Sequence, residues 1–192
     1  MSVETIPGTV LPIKDYPDGV FGQYRPLLTG AGGLTLAQVC GITGLETSTV
    51  QNWVKRGLVA KTVNNRYGER QLSRILIINA LRSAMLLDDV VGLLAYLNGS
   101  VEDAGDDIIP ESRLFDYLCQ VMDRWVNNSG LDLENLRGVV ESIISDYDAS
   151  PQWREKLREA LEIMSLACAA SKLRDLSDSR LDGVLDKKKK RR

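Results

Sequence analysis

Five polar side chains, Ser48, Thr49, Gln51, Asn52 and Lys55, recur on one side of a short helical pattern whose other side is Val50, Trp53 and Val54. Spacing of i, i+3, i+4 turns the second set inward and leaves the first in solvent. Gln51 and Asn52 carry the most specific chemistry, because a side-chain amide donates and accepts together and so matches the paired N6 and N7 groups of adenine. Arg56 and Arg66 are fixed cations and Tyr67 a phenol, all suited to phosphate oxygens, where contacts position rather than specify. The plainer reading stays open: Gln and Asn are ordinary residues of an exposed helix, and Tyr67 could pack its ring on a core.

The elements that must position these groups are short. Thr35 with Gln38 three residues later forms a capping-box pattern, opening a helix whose inward stripe is Leu36, Val39, Cys40 and Ile42. Gly44 supplies the positive φ of a tight turn, and Leu45 anchors it. A second helix spans about 47–56 and ends at Gly57. Together they read as a helix-turn-helix, a motif that commonly reads DNA. Leu58-Val59, the pair Asn64-Asn65 and Arg66-Tyr67 predict a small β-hairpin wing. Further helices are predicted over about 69–85, 87–97, 111–127, 132–147 and 151–176. Residues 1–33, rich in Pro and Gly, read as an irregular arm; 99–110 as an acidic linker without the alternating carboxylates of a calcium loop; and 177–192 as a disordered basic tail.

Composition narrows the chemistry. The 192 residues contain no histidine, which removes histidine-based triads, histidine-bound zinc and most general-base catalysis near neutral pH. An enzyme would have to rest on carboxylates and lysines, and the chain is read as non-enzymatic, with no catalytic residues, cofactor or metal. Cys40, Cys119 and Cys168 lie far apart and read as free thiols of a reducing compartment. No apolar run approaches a membrane span of roughly 20 residues, and no secretory signal is visible. Cytoplasmic, nucleoid-associated placement is expected. The net charge of -2 hides segregation. Between Thr47 and Arg82 stand Lys55, Arg56, Lys61, Arg66, Arg70, Arg74 and Arg82 against Glu69 alone, and the chain closes on the cationic run Lys187–Arg192. A basic face on an acidic protein suits a polyanion met from one side.

T-L-A-Q-V-C-G-I-T-G-L, V-Q-N-W-V-K-R-G-L-V, N-R-Y-G-E-R-Q-L and L-D-D-V-V-G-L-L, taken in order, resemble the MerR-type winged helix-turn-helix, and Q-N-W-V-K-R-G with R-I-L-I-I-N-A-L-R looks like a bacterial branch of it known chiefly as a domain of unknown function. The resemblance implies a mainly α fold with a winged helix-turn-helix over 34–98 and a helical C-terminal region over 111–176. It implies that the second helix enters the major groove, with Ser48, Thr49, Gln51, Asn52 and Lys55 toward DNA and Arg56, Arg66 and Tyr67 on phosphates. Double-stranded DNA is then the partner, a homodimer the assembly, and transcriptional regulation the function. Gln51 and Asn52 replace the family's usual Arg and aromatic, Leu86 replaces a polar cap, and no cysteine cluster supports metal sensing. The alternative is a protein-interaction module whose acidic C-terminal helices dock a partner.

Overall fold

The computed structural model describes residues 5–11, 19–101, 105, 107–128 and 131–189. Its elements are α1 (Gly19–Gly30), α2 (Leu36–Thr43), α3 (Thr47–Lys55), α4 (Glu69–Leu81), α5 (Leu87–Asn98), α6 (Glu111–Val121), α7 (Leu136–Ile143) and α8 (Pro151–Lys189). A π-helical turn, Met122–Asn128, prolongs α6, and a 3-10 turn, Ile144–Asp146, follows α7.

Two helices make the centre. On α4, Leu72, Ile75, Leu76, Ile77, Ile78 and Leu81 are all buried, and a helix apolar all round must be enclosed by others. On α6, Leu114, Phe115, Leu118 and Val121 are fully buried. Residues of α1 through α8 contribute to one continuous apolar cluster. The segment expected to be a linker is folded back at its end. The Asn98 side chain donates to the Ile109 carbonyl at 2.7 Å and accepts from the Ile109 N–H at 3.2 Å, with Ile109 fully buried.

Mainly α holds; the β-hairpin wing does not. Among the described residues there is no β-strand, and this region holds the isolated antiparallel bridges Leu34–Tyr67 and Val63–Arg66. The tight turn is real: Asn64 and Asn65 have φ of 50° and 57°, and the Arg66 N–H closes on the Val63 carbonyl at 2.9 Å. Gly68 already caps α4, its N–H donating to Gln71 Oε1 at 3.0 Å. Only Arg66 and Tyr67 are left as a return strand, and Tyr67 spends both backbone groups on Leu34 at 2.8 Å each. Gly33 permits that approach, since at φ 101° a Cβ there would lie 2.9 Å from the Tyr67 carbonyl oxygen.

The expected arm and tail also differ. Part of 1–33 is helical, and α1 is tied to α6. Asp116 on α6 accepts from the Phe21 N–H at 3.2 Å, satisfying across the fold one of the free donors in the first turn of α1. Phe21 then meets Phe115 edge-on at 5.9 Å between ring centroids. At the other end, α8 runs to Lys189 instead of ending near 176.

Burial raises the Asp116 carboxyl to about 6, against the opposing pull of the Phe21 and Val20 N–H groups. A carboxyl raised by folding stabilises the native state progressively as pH falls from above 6 toward its unfolded value near ~4. Asp116→Asn keeps an acceptor for Phe21 and removes the charge. Its urea midpoint should therefore stand highest relative to wild type at pH 8, with the difference shrinking toward pH 4. A difference independent of pH would refute the assignment.

Candidate nucleic-acid interface

The α2–turn–α3 unit is built as its sequence dictates. Thr35 and Gln38 form the reciprocal capping box, with the Thr35 N–H on Gln38 Oε1 at 2.9 Å and the Gln38 N–H on Thr35 Oγ1 at 3.3 Å. Gly44 ends α2 at φ 69°, and its N–H returns to the Cys40 carbonyl at 2.8 Å. Thr43 secures the turn from inside, its hydroxyl donating to the Val39 carbonyl and accepting from the Leu45 N–H. At the far end of α3, Leu58 N–H reaches the Trp53 carbonyl at 2.9 Å and Gly57 N–H the Val54 carbonyl at 3.1 Å. That pair of bonds is a Schellman closure. Val50 and Trp53 are buried beneath.

Above that floor lie the polar residues. Ser48, Gln51, Asn52 and Lys55 are exposed and Thr49 is half-buried. Among the described residues, no side-chain hydrogen bond or ion pair engages Gln51, Asn52 or Lys55. A groove of about 400 Å³ runs beside them, lined by Leu36, Gln51, Val54, Lys55, Thr62, Asn65 and Tyr67. Arg56 is exposed and pairs loosely with Asp88 at 3.6 Å, an ion pair in water that costs little to exchange. Arg66 is half-buried and leans on the Gly33 carbonyl at 3.4 Å.

Tyr67 departs from the expected set. It is 6% exposed, and its phenol is pushed up first by burial and then by the neighbouring Cys40. It holds Leu34 in place instead of facing solvent. The basic stretch also thins. Arg82 lies over the Trp53 ring at 6.0 Å while donating to Asn79 Oδ1.

Arg74 is the largest surprise. It is 4% exposed, donates through Nε to the Leu58 carbonyl at 2.6 Å, and pairs through Nη1 with the buried Glu111 of α6. Burial pushes the Glu111 carboxyl up while Arg74 holds it down. Arg74 thus clamps the exit of α3 to both α4 and α6. The signal was available: position 74 lies on the same stripe as Ile77, Ile78 and Leu81, in a helix apolar on every side.

Elsewhere, no group of acidic, cysteine or histidine side chains among the described residues could hold a metal. No described helix is long and apolar enough to cross a membrane. Cys119 and Cys168 are driven up by burial, Cys168 to about 12, which suits packed thiols rather than nucleophiles.

Comparison with known proteins adds a boundary to this geometry. The chain is similar to the uncharacterized protein YkrK of Bacillus subtilis (strain 168), 25% identical over 92 residues, which is 46% of this chain and 40% of that protein. The chain therefore spans less than half the length of that relative. No solved structure matches it. Neither the relative nor the matching family is described as a MerR-type protein, and what the sequence matches is an uncharacterised domain. That domain, described as a domain of unknown function (DUF1836), covers residues 35–118, from the threonine that caps α2, through Arg74 and its partner Glu111, to the middle of α6.

Proposed function

We propose that the protein binds double-stranded DNA through the outward face of α3 and acts as a bacterial transcriptional regulator. The observation that carries this reading is the row Ser48, Gln51, Asn52 and Lys55, exposed and, among the described residues, unengaged on a helix that is closed at its C-terminal end by the Leu58 and Gly57 N–H groups and whose other face is locked into the core. Unspent amides on a rigid helix are what base-edge readout needs. Lys55, Arg56 and Arg66 flank the row as phosphate contacts. No wing takes part, and Tyr67 supports the site from below.

A single short helix reaches few base pairs, so affinity and specificity require two copies presenting two helices to successive turns of the groove. The experiment is a mobility shift on genomic fragments at moderate salt. The double substitution Lys55→Ala, Arg56→Ala should weaken binding at least ~10-fold and reduce the slope of log affinity against log salt by about 2. Unchanged affinity would remove α3 from the interface. If DNA affinity instead disappears on truncation of residues 187–192 alone, only the cationic run binds, and the chain is better read as a protein-interaction module.

A further inference from the structure

The long helix α8 changes its apolar side along its length. Leu157, Leu161, Met164 and Cys168 form the stripe that packs on the body. That side continues as Ser171, Lys172, Asp175, Ser179 and Asp182, all polar. Near this point the hydroxyl pair Ser83–Ser171 anchors the helix to the body at 2.7 Å. Beyond it, residues 173–185 are exposed on every side.

A second apolar stripe opens on the opposite face. Ile163, Leu166, Ala170, Leu173, Ser177, Arg180 and Val184 are spaced alternately three and four apart, with Leu176 and Leu181 flanking the polar interruption. The large members are roughly half exposed or more: Leu166 44%, Leu173 53%, Leu181 55% and Val184 54%. A row of this spacing over about three heptads is a seam without its partner. The projecting segment also needs one, because it contains Gly183, two serines and three aspartates and is exposed along its length, with little burial to hold it helical.

Charge identifies the occupant. Toward the N-terminal end, the same face carries Glu155, Glu159 and Glu162. Arg158 is tucked beside them, paired with Glu155 and Glu162, while among the described residues Glu159 accepts from the neutral Tyr96 hydroxyl at 2.9 Å. At the other end the helix finishes at Lys189, within the cationic stretch of sequence that begins at Lys187. A face acidic at one end, apolar in the middle and basic at the other is complementary to itself when reversed.

We infer that α8 pairs antiparallel with α8 of a second copy, burying the Ile163–Val184 stripe. In the centred register Ile163 lies opposite Val184, Leu166 opposite Leu181, and Leu173 beside its own copy. Glu159 of each chain then meets the lysine run of the other. Parallel pairing would set glutamates against glutamates and lysines against lysines. The pairing rests on this stripe and stands whether or not α3 meets DNA.

Light scattering after size exclusion should return twice the 21.3 kDa chain mass at about 50 µM protein, a concentration at which a weak two-helix dimer is populated. Leu166→Glu with Leu173→Glu should return the monomer mass with the helical circular-dichroism signal of the body retained. Replacing Lys187, Lys188 and Lys189 by Glu should weaken the dimer about 10-fold at low salt and much less at high salt. Oxidation of an Ile163→Cys, Val184→Cys variant should give a covalent dimer, while Ile163→Cys alone should not exceed the wild-type background. A monomeric wild type, or a dimer that survives Leu166→Glu with Leu173→Glu, overturns the proposal. Cross-linking by Ile163→Cys alone overturns the antiparallel arrangement.

Discussion

Arg74→Met is expected to cost about 3–5 kcal/mol of folding stability at pH 7, the range for breaking one side of a buried ion pair. The substitution fills most of the volume of the arginine stem and removes only its charge and donors. What it leaves behind is the Glu111 carboxylate, 5% exposed and already pushed up by its burial, together with the Leu58 carbonyl stripped of its 2.6 Å donor. Urea titration reads the loss directly. Its pH dependence follows from the sign of the shift. Without Arg74 the Glu111 carboxyl moves higher still, so the folded state holds a proton that the unfolded chain releases above ~4.3. Stability of the variant should accordingly fall, relative to wild type, as pH rises from 5 to 8.

The double substitution Arg74→Met, Glu111→Leu removes the stranded charge and should recover most of the loss, because an apolar pair of similar volume replaces a buried ion pair at little net cost. It does not recover all of it, since the Leu58 carbonyl still lacks a donor, worth about 1–3 kcal/mol when buried. A single variant within ~1 kcal/mol of wild type, or a double no better than the single, would show that the pair is not a clamp.

That clamp also illustrates what the linear sequence conveys. The α2–turn–α3 unit was legible because its determinants are local: a Thr-x-x-Gln box, one glycine with positive φ, and an i, i+3 pair, Val50 and Trp53, for the floor. The wing was not, because its decisive partner is remote. Asn64-Asn65 does turn the chain, yet Tyr67 pairs with Leu34, more than thirty residues upstream, and Gly68 starts α4 before a second strand can form. Helix α1 was hidden for the same reason. Its glycines and Pro26 weaken local propensity, and a donor of its first turn is met by Asp116 on α6. Among the site residues, the outward set on α3 follows from periodicity alone, whereas the burial of Tyr67 and Arg74 depends on which helices close over them. The second stripe of α8 was written at regular spacing, but the closing lysine run drew it into a reading as solvated tail.

Gln51→Ala with Asn52→Ala should separate the two kinds of DNA affinity that the α3 reading requires. Each amide, if it engages an adenine edge in bidentate fashion, discriminates by about 1–3 kcal/mol. Losing both should reduce affinity for a selected high-affinity fragment by on the order of 10²-fold or more, taking the pair as roughly additive. Affinity for random-sequence competitor should change by less than ~2-fold, since Lys55 and Arg56 and their phosphate contacts remain. The effect on folding should be small, because both side chains are exposed and no described hydrogen bond is lost. Measuring both affinities at one salt concentration gives a ratio that general destabilisation cannot mimic. If specific and non-specific binding fall together, the amides do not read bases. If neither falls while Lys55→Ala, Arg56→Ala abolishes both, the helix meets the DNA backbone only, and sequence preference must arise from shape.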